Sequence, residues 1–264
     1  MYHAKNVVLL QSHFLNDLVI NRFNKLCEDL DPLKYKTVLL LNMDFSNHHK
    51  VPADMNAFVV DTNSINSLHY SPIEPTLLPG SCHYPLMSFF LREPTYKYYW
   101  FVEYDVEFTG KWYVLMEDCD TSLCDYDFLS SHVEKYDAKK NKEWIWWYRR
   151  NRLDVPLTEC MKSFNPICRY SREALAYIDL YQKRGFTAHS EVLISTCLHH
   201  AGYQIGDFGG TGDFVPHGYE GKFYIPKSNC INGGTMRYRP IYTKDQIKSS
   251  GLSNCLFHPS KELF

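Results

Sequence analysis

The sequence predicts an α/β protein built on a mostly parallel central sheet, and three observations carry that prediction. Four short apolar runs, at residues 7–10, 37–41, 57–61 and 98–106, are rich in Val, Leu and aromatic side chains. Segments of helical periodicity or turn chemistry separate them. The runs are continuous instead of alternating apolar with polar, as expected of strands covered on both faces. Strands and helices in this alternation give a parallel sheet flanked by helices.

Val7-Val8-Leu9-Leu10 reads as the first buried strand. From Asn16 to Leu30 the residues Leu18, Val19, Phe23, Leu26, Cys27 and Leu30 recur at helical spacing, and Asp31-Pro32 closes that helix. Thr37 to Leu41 and Ala57 to Asp61 read as the second and third strands. Residues 62–82, rich in Ser, Asn and Pro, read as a long loop. His83 to Arg92 reads as a helix stopped before Pro94, and Tyr98 to Val106 as the fourth strand. Further on, Gly110 to Glu117 reads as a short helix, and Phe128 to Val133 and Trp144 to Tyr148 as strands. A helix runs from an N-cap at Ser171 to a stop at Gly185. His189-Ser190-Glu191 opens the next one, over Val192 to Ala201, ended by Gly202. After Gly206 the chain is loop-rich, and Phe208-Gly209-Gly210-Thr211-Gly212-Asp213 is expected to form a flexible lid-type loop. With no internal repeat or linker, residues 1–264 are expected to form a single domain.

The composition excludes several classes. The 264 residues carry a formal net charge of -2, so no global field favours nucleic acid, and none is expected as a partner. Nine cysteines without a C-x-x-C pair argue for reduced thiols, not a disulfide framework or zinc site. Met1-Tyr2-His3-Ala4-Lys5 leads straight into the first strand without a cleavage-site pattern, and no apolar stretch reaches spanning length. A cytoplasmic protein without a transmembrane segment is expected. Aromatic content is high at 16%, which suits stacking on sugars or bases and equally suits an aromatic core.

Ligands of parallel α/β sheets bind outside the carboxyl ends of the strands. The residues to inspect are therefore Gln11-Ser12-His13, Asn42-Met43-Asp44, Asp61 and Glu103-Tyr104-Asp105. On a strand, residues two apart share a face, so Glu103 and Asp105 would point together. Two oxygen ligands at a buried strand end make a seat for a hard divalent cation, which usually takes phosphate as a further ligand.

This order of parts resembles the GT-A fold glycosyltransferases, whose nucleotide-binding half ends in an acidic D-x-D-like motif, here Glu103-Tyr104-Asp105. Phe164-Asn165-Pro166-Ile167-Cys168-Arg169-Tyr170-Ser171 resembles the strand and helix start that follow that motif. His258-Pro259-x-Lys261 is similar to the late histidine that completes the metal site in many such enzymes. The resemblance implies a three-layer α/β/α fold with a nucleotide-sugar donor half (residues 1–106) and an acceptor half (residues 107–264). It implies Mn²⁺ or Mg²⁺ held by Asp105, with Glu103 and His258, and Lys261 neutralising the diphosphate. Glu103 stands where Asp is commoner, so Asp105 is the primary ligand. By position, Gln11, Ser12, Asn42 and Asp44 would hold the base and ribose of a donor, most simply a UDP-sugar. Glu191 would be the general base toward a glycan or other hydroxyl acceptor if the reaction inverts; a carboxylate in a first helical turn also simply complements the helix dipole. His189, Trp146 and Trp147 would contact the acceptor, against the alternative that each Trp is core. Two rivals stay open. A nucleotidyltransferase would use the same carboxylates, although Gln11-Ser12-His13-Phe14 lacks its Gly- and Lys-rich phosphate loop. A non-catalytic relative would bind sugar or nucleotide without turnover.

Overall fold

The structure, a computed structural model, describes residues 4–42, 51–52, 55–227 and 233–261. The chain forms, in order, β1 (Asn6–Ser12), α1 (Asp17–Asp29), β2 (Tyr35–Asn42), β3 (Ala57–Val60), α2 (Thr62–Asn66), α3 (Tyr84–Arg92), β4 (Tyr98–Glu103) and β5 (Glu107–Phe108). There follow α4 (Trp112–Ser122), β6 (Phe128–Lys135), β7 (Met161–Ser171), α5 (Arg172–Lys183), α6 (Ser190–His200), β8 (Ile205–Asp207), α7 (Lys244–Ser249) and β9 (Leu256–Phe257).

Seven strands make one sheet in the order β3-β2-β1-β4-β7-β6-β8, and β5 pairs with β9 apart from it. The pairs β2–β3, β1–β2, β1–β4 and β6–β8 are parallel. Only β7 is reversed, lying antiparallel to β4 and to β6. The sheet is thus mostly parallel, as the continuous apolar runs predict.

Strand periodicity sorts the core into two layers. Val8, Leu10, Trp100 and Val102 pack on one face with Val19, Phe23 and Leu26 of α1 and Leu115 and Met116 of α4. Val7, Leu9, Tyr99 and Phe101 pack on the other with Met87 and Phe90 of α3, Leu175 and Ile178 of α5, and Leu193 and Ile194 of α6. Helices on both faces make the three-layer α/β/α arrangement. Side-chain caps set two of the helix starts: Asn16 accepts from the Val19 N–H, and Ser171 from the Ala174 N–H, both at 3.1 Å.

Arg169 of β7 ties the sheet to α4 from a fully buried position. Its guanidinium donates to the carbonyls of Cys119, Leu123 and Tyr126, each at 2.7 Å, and pairs with Asp120 at 3.3 Å. Arg169→Met is expected to lower stability by about 3–5 kcal/mol, measured by urea unfolding, because it removes the cation paired with the buried Asp120, which keeps only the neutral donors of Asn6, Tyr35 and Trp100, and takes one donor from each of three carbonyls.

Three sequence expectations are corrected. Trp144 to Tyr148 is not a strand: Ile145–Tyr148 is a 3₁₀ turn. Its bonds run locally, from Trp147 N–H to Trp144 O and from Arg149 N–H to Trp146 O. The buried pair is Trp144 and Trp147, three apart, the spacing that a 3₁₀ turn brings to one side. Residues 62–82 are not all loop, because Asp61 caps the short α2 by accepting from the Ser64 N–H at 2.8 Å. The glycine-rich segment after β8 does not begin as a lid. The Asp207 carboxylate accepts from the Gly209, Gly210 and Val133 N–H groups and the Tyr224 hydroxyl, which fixes that turn in the interior. Among the described residues no helix is long and apolar enough to cross a membrane.

Candidate functional site

β4 ends at Glu103, which lies in register with Gln11 at the end of β1. The chain then turns, with the Val106 N–H donating to Glu103 O at 3.0 Å. Asp105 therefore sits on a turn and not on the strand, a correction to the expectation of two carboxylates on one strand face. What brings the groups together is the C-terminal segment. β9 pairs antiparallel with β5, and the Ser260 N–H donates to Asp105 O at 2.7 Å. This stitching carries His258 back to the strand end, where ligand atoms of Glu103, Asp105 and His258 all lie within 4.8 Å of one another.

His258 Nε2 is 3.4 Å from Asp105 Oδ1 and 3.7 Å from Glu103 Oε2. Its Nδ1 is 2.8 Å from the Arg237 carbonyl. A carbonyl only accepts, so Nδ1 carries a proton whether the ring is charged or neutral; in the neutral ring Nε2 is then the free nitrogen facing the carboxylates, the tautomer a metal-ligating histidine needs. Lys261 Nζ stands 3.3 Å from Asp105 Oδ2. Burial and the neighbouring Asp105 push the Glu103 carboxyl up to about 7. Burial acts the same way on Asp105, but His258 and Lys261 outweigh it and hold that carboxyl well below the usual range. Burial opposes the charge on His258, yet Asp105 and Glu103 raise its pKa above the ordinary value.

These residues fit a divalent cation. Asp105 Oδ1 is buried with no hydrogen-bond partner among the described residues, although it is the atom nearest His258 Nε2. Two carboxylate groups and an imidazole nitrogen form a donor set for a borderline-hard dication.

A cavity of about 490 Å³ opens beside this cluster, at the carboxyl ends of β1 and β4. Gln11, Ser12 and Asn42 line it, together with Lys261. Gln11 Oε1 is buried and unpaired among the described residues, whereas the Ser12 hydroxyl is engaged with the backbone of Phe14. Asp44 lies outside the described residues.

Trp146, His189 and Glu191 line the same cavity from the other side. Trp147 does not: it is fully buried, and its indole N–H donates to the Asn141 carbonyl at 2.8 Å. Its expected acceptor contact is corrected to a core position. The His189 ring stacks on Trp146 at 4.1 Å and 7°. His189 Nδ1 accepts from the Glu191 N–H at 3.3 Å and so caps α6 itself. That leaves the Glu191 carboxylate turned away from its own helix amides: Oε1 is 3.5 Å from the Asn165 N–H on β7, and Oε2 has no hydrogen-bond partner among the described residues. Burial pushes the Glu191 carboxyl up to about 8, and it pushes the His189 imidazole down to about 3.

Sequence reasoning missed Arg22. This α1 residue donates to the Tyr104 carbonyl, and to the Ser260 carbonyl and hydroxyl at 3.1 Å each. It also pairs with Glu107 at 3.4 Å. It thus clamps the turn carrying Asp105 to the segment carrying His258. An arginine on a helix face gives no sequence signal of that task. Tyr238 and Leu78, which also line the cavity, were equally unmarked.

No protein-family model matches the chain, and no curated protein sequence matches it. Among solved structures it is similar to a mycobacterial protein, at 15% identity over 70% of this chain and 64% of that one, with a TM-score of 0.41. It is also similar to glucosyl-3-phosphoglycerate synthase from Mycobacterium tuberculosis in complex with Mn²⁺, UDP and phosphoglyceric acid, at 15% identity over 77% and 68% of the two chains, TM-score 0.43. A third is an active-site mutant of LgtC, at 10% identity over 73% and 69%, TM-score 0.44. The chain spans just under two thirds of the first of these proteins.

Proposed function

We propose that the chain is a metal-dependent glycosyltransferase that moves a sugar from a nucleotide-sugar donor, a UDP-sugar, to a hydroxyl of a glycan or similar acceptor. One observation carries this reading: two carboxylates, an imidazole nitrogen and an ammonium group converge on a cavity at the carboxyl ends of parallel strands. Asp105, Glu103 and His258 would hold the cation, for which Mn²⁺ suits the mixed carboxylate and imidazole set better than Mg²⁺. When bound, such a cation offsets the negative charge that develops on a leaving diphosphate.

The chain's own groups take the other tasks. Lys261 pairs with a phosphate oxygen, as its present pairing with Asp105 illustrates. Gln11 and Asn42 face the base and ribose by position, and Ser12 shapes the turn beneath them. The Trp146–His189 stack presents a flat wall to the acceptor. In an inverting reaction Glu191 accepts the proton of the attacking hydroxyl. The donor half (residues 1–106) and the acceptor half (residues 107–264) then meet at the cavity, which both line.

Thermal denaturation against a panel of nucleotide sugars tests the reading. With Mn²⁺ present, the cognate donor at a hundredfold excess over its Kd should stabilise the protein by about 2.7 kcal/mol, or roughly 5–10 °C in Tm. If no nucleotide sugar moves the Tm with Mn²⁺ present, the transferase reading loses its support.

A further inference from the structure

We propose that His132 is a positioning residue for the cation site: it grips the backbone segment that turns His258 Nε2 toward Glu103 and Asp105. The proposal rests on the reading of those three residues as the cation's ligands.

His132 lies on β6 where the pairing with β7 slips between Ser131 and Glu134. Its φ is 51°, a left-handed conformation that a residue with a Cβ rarely adopts. Such strain persists where the surroundings over-determine it, and an irregularity in a strand re-aims a side chain. Here the surroundings engage both backbone polar groups of the residue and its ring Nε2. The His132 N–H donates to the Tyr224 hydroxyl at 2.9 Å, and its carbonyl accepts from Lys162 Nζ at 3.2 Å. The imidazole, buried with the residue 3% exposed, places Nε2 at 2.8 Å from the Met236 carbonyl. That carbonyl only accepts, so His132 Nε2 is the donor.

The segment held in this way is the one that aims His258. The His258 N–H donates to the Thr235 carbonyl at 2.9 Å, and the Arg237 N–H to the His258 carbonyl at 3.1 Å. The adjoining Arg237 carbonyl accepts the hydrogen bond from His258 Nδ1–H at 2.8 Å. Phe164 fills the space between the two imidazoles, with ring centroids 6.1 Å from His132 and 5.2 Å from His258. His132 thus fixes one carbonyl of a short cradle, and the next carbonyl fixes the tautomer of His258. If that cradle shifts, the neutral His258 proton is free to move to Nε2, which removes the lone pair aimed at the carboxylates.

The test uses the full chain with Mn²⁺ alone as the probe, comparing His132→Phe, which keeps the ring but removes the donor, with His132→Gln, which keeps a donor. Calorimetric titration should show Mn²⁺ binding weakened about 10–100-fold in H132F and largely restored in H132Q, as for other groups that orient metal ligands. In metal-free protein, ¹⁵N NMR should show neutral His258 protonated on Nδ1, with the H132F variant shifting toward Nε2. Unchanged Mn²⁺ affinity in H132F, or equal losses in H132F and H132Q, overturns the proposal. His258→Ala separates the two readings: if it loses Mn²⁺ binding while H132F does not, only the positioning role fails, and if it binds like the parent, the ligand assignment fails first. Should H132F not fold, the unsubstituted protein decides, since a predominantly Nε2-protonated neutral His258 contradicts the proposed geometry.

Discussion

Asp105→Ala is expected to remove Mn²⁺-dependent turnover of a nucleotide sugar, a loss on the order of 10³-fold, and to abolish the thermal shift that donor and Mn²⁺ produce together. Asp105 is the residue on which the other charged groups of the site converge. His258 Nε2 approaches one of its oxygens at 3.4 Å and Lys261 Nζ the other at 3.3 Å. Both cations hold its carboxyl ionised despite burial, whereas burial and the charge on Asp105 leave Glu103 near neutrality at about 7. The two acids are therefore unequal: Asp105 is the standing anion, and Glu103 ionises readily only with added positive charge nearby. Glu103→Gln should accordingly cost less than the Asp105 change. The fold should tolerate Asp105→Ala, because the substitution removes a repulsion with Glu103 and His258 is free to become neutral. Turnover by the purified variant, with its Tm as the control for folding, decides the matter. Metal-dependent turnover at the parental rate would take Asp105 out of the mechanism.

The strands were legible because buried parallel strands write themselves as short apolar runs, and 7–10, 37–41 and 98–103 lie in such runs. The acidic pair was legible as a pair, but for an incomplete reason. Strand alternation predicts a shared face for Glu103 and Asp105, whereas the structure puts Asp105 on a turn held by Ser260. That contact, like the bond from Thr109 Oγ1 to the Cys255 carbonyl 146 positions away, is long-range pairing with no local signature. His258 and Lys261 were reached only through the order of parts in a resembling family, and Arg22, which clamps the two segments, was not reached. The Trp cluster failed on periodicity. Trp144, Trp146 and Tyr148 suggest a period of two, but burial follows Trp144 and Trp147, while Tyr148 is 69% exposed. Four aromatics in five residues do not distinguish these spacings, and the Asn141 carbonyl that anchors the turn, by accepting from the Trp144 N–H and the Trp147 indole, lies just upstream of the run.

Glu191→Gln is expected to lower turnover by about 10²–10⁴-fold, the usual worth of a general base, while leaving Mn²⁺-dependent donor binding intact. Its pH behaviour makes the role testable apart from geometry. Burial holds this carboxyl up to about 8, so the basic form is scarce at neutral pH and turnover should climb with pH until about that value. The glutamine variant should lose that limb. Stability moves in the opposite direction. Between the ordinary carboxylate value of 4.5 and about 8, the folded protein holds a proton on Glu191 that the unfolded chain has released. Stability then falls as pH rises, by at most about 1.4 kcal/mol per pH unit for one proton. Buried His83, His132 and His189, held down to about 4, about 3 and about 3, act with the opposite sign, a contribution that is half spent at their ordinary value of 6.5 and fades over the next pH unit. Asp207, raised to about 6, has completed its contribution by then. The window from about pH 7.5 to 8 is therefore the clean one: the Tm of the metal-free parent should decline across it, and Glu191→Gln should flatten the decline, leaving the share due to Glu103 and His258. A variant with the parental slope would mean that Glu191 already ionises at low pH. A variant with the parental turnover would leave Glu191 as no more than a buried carboxyl at the start of α6.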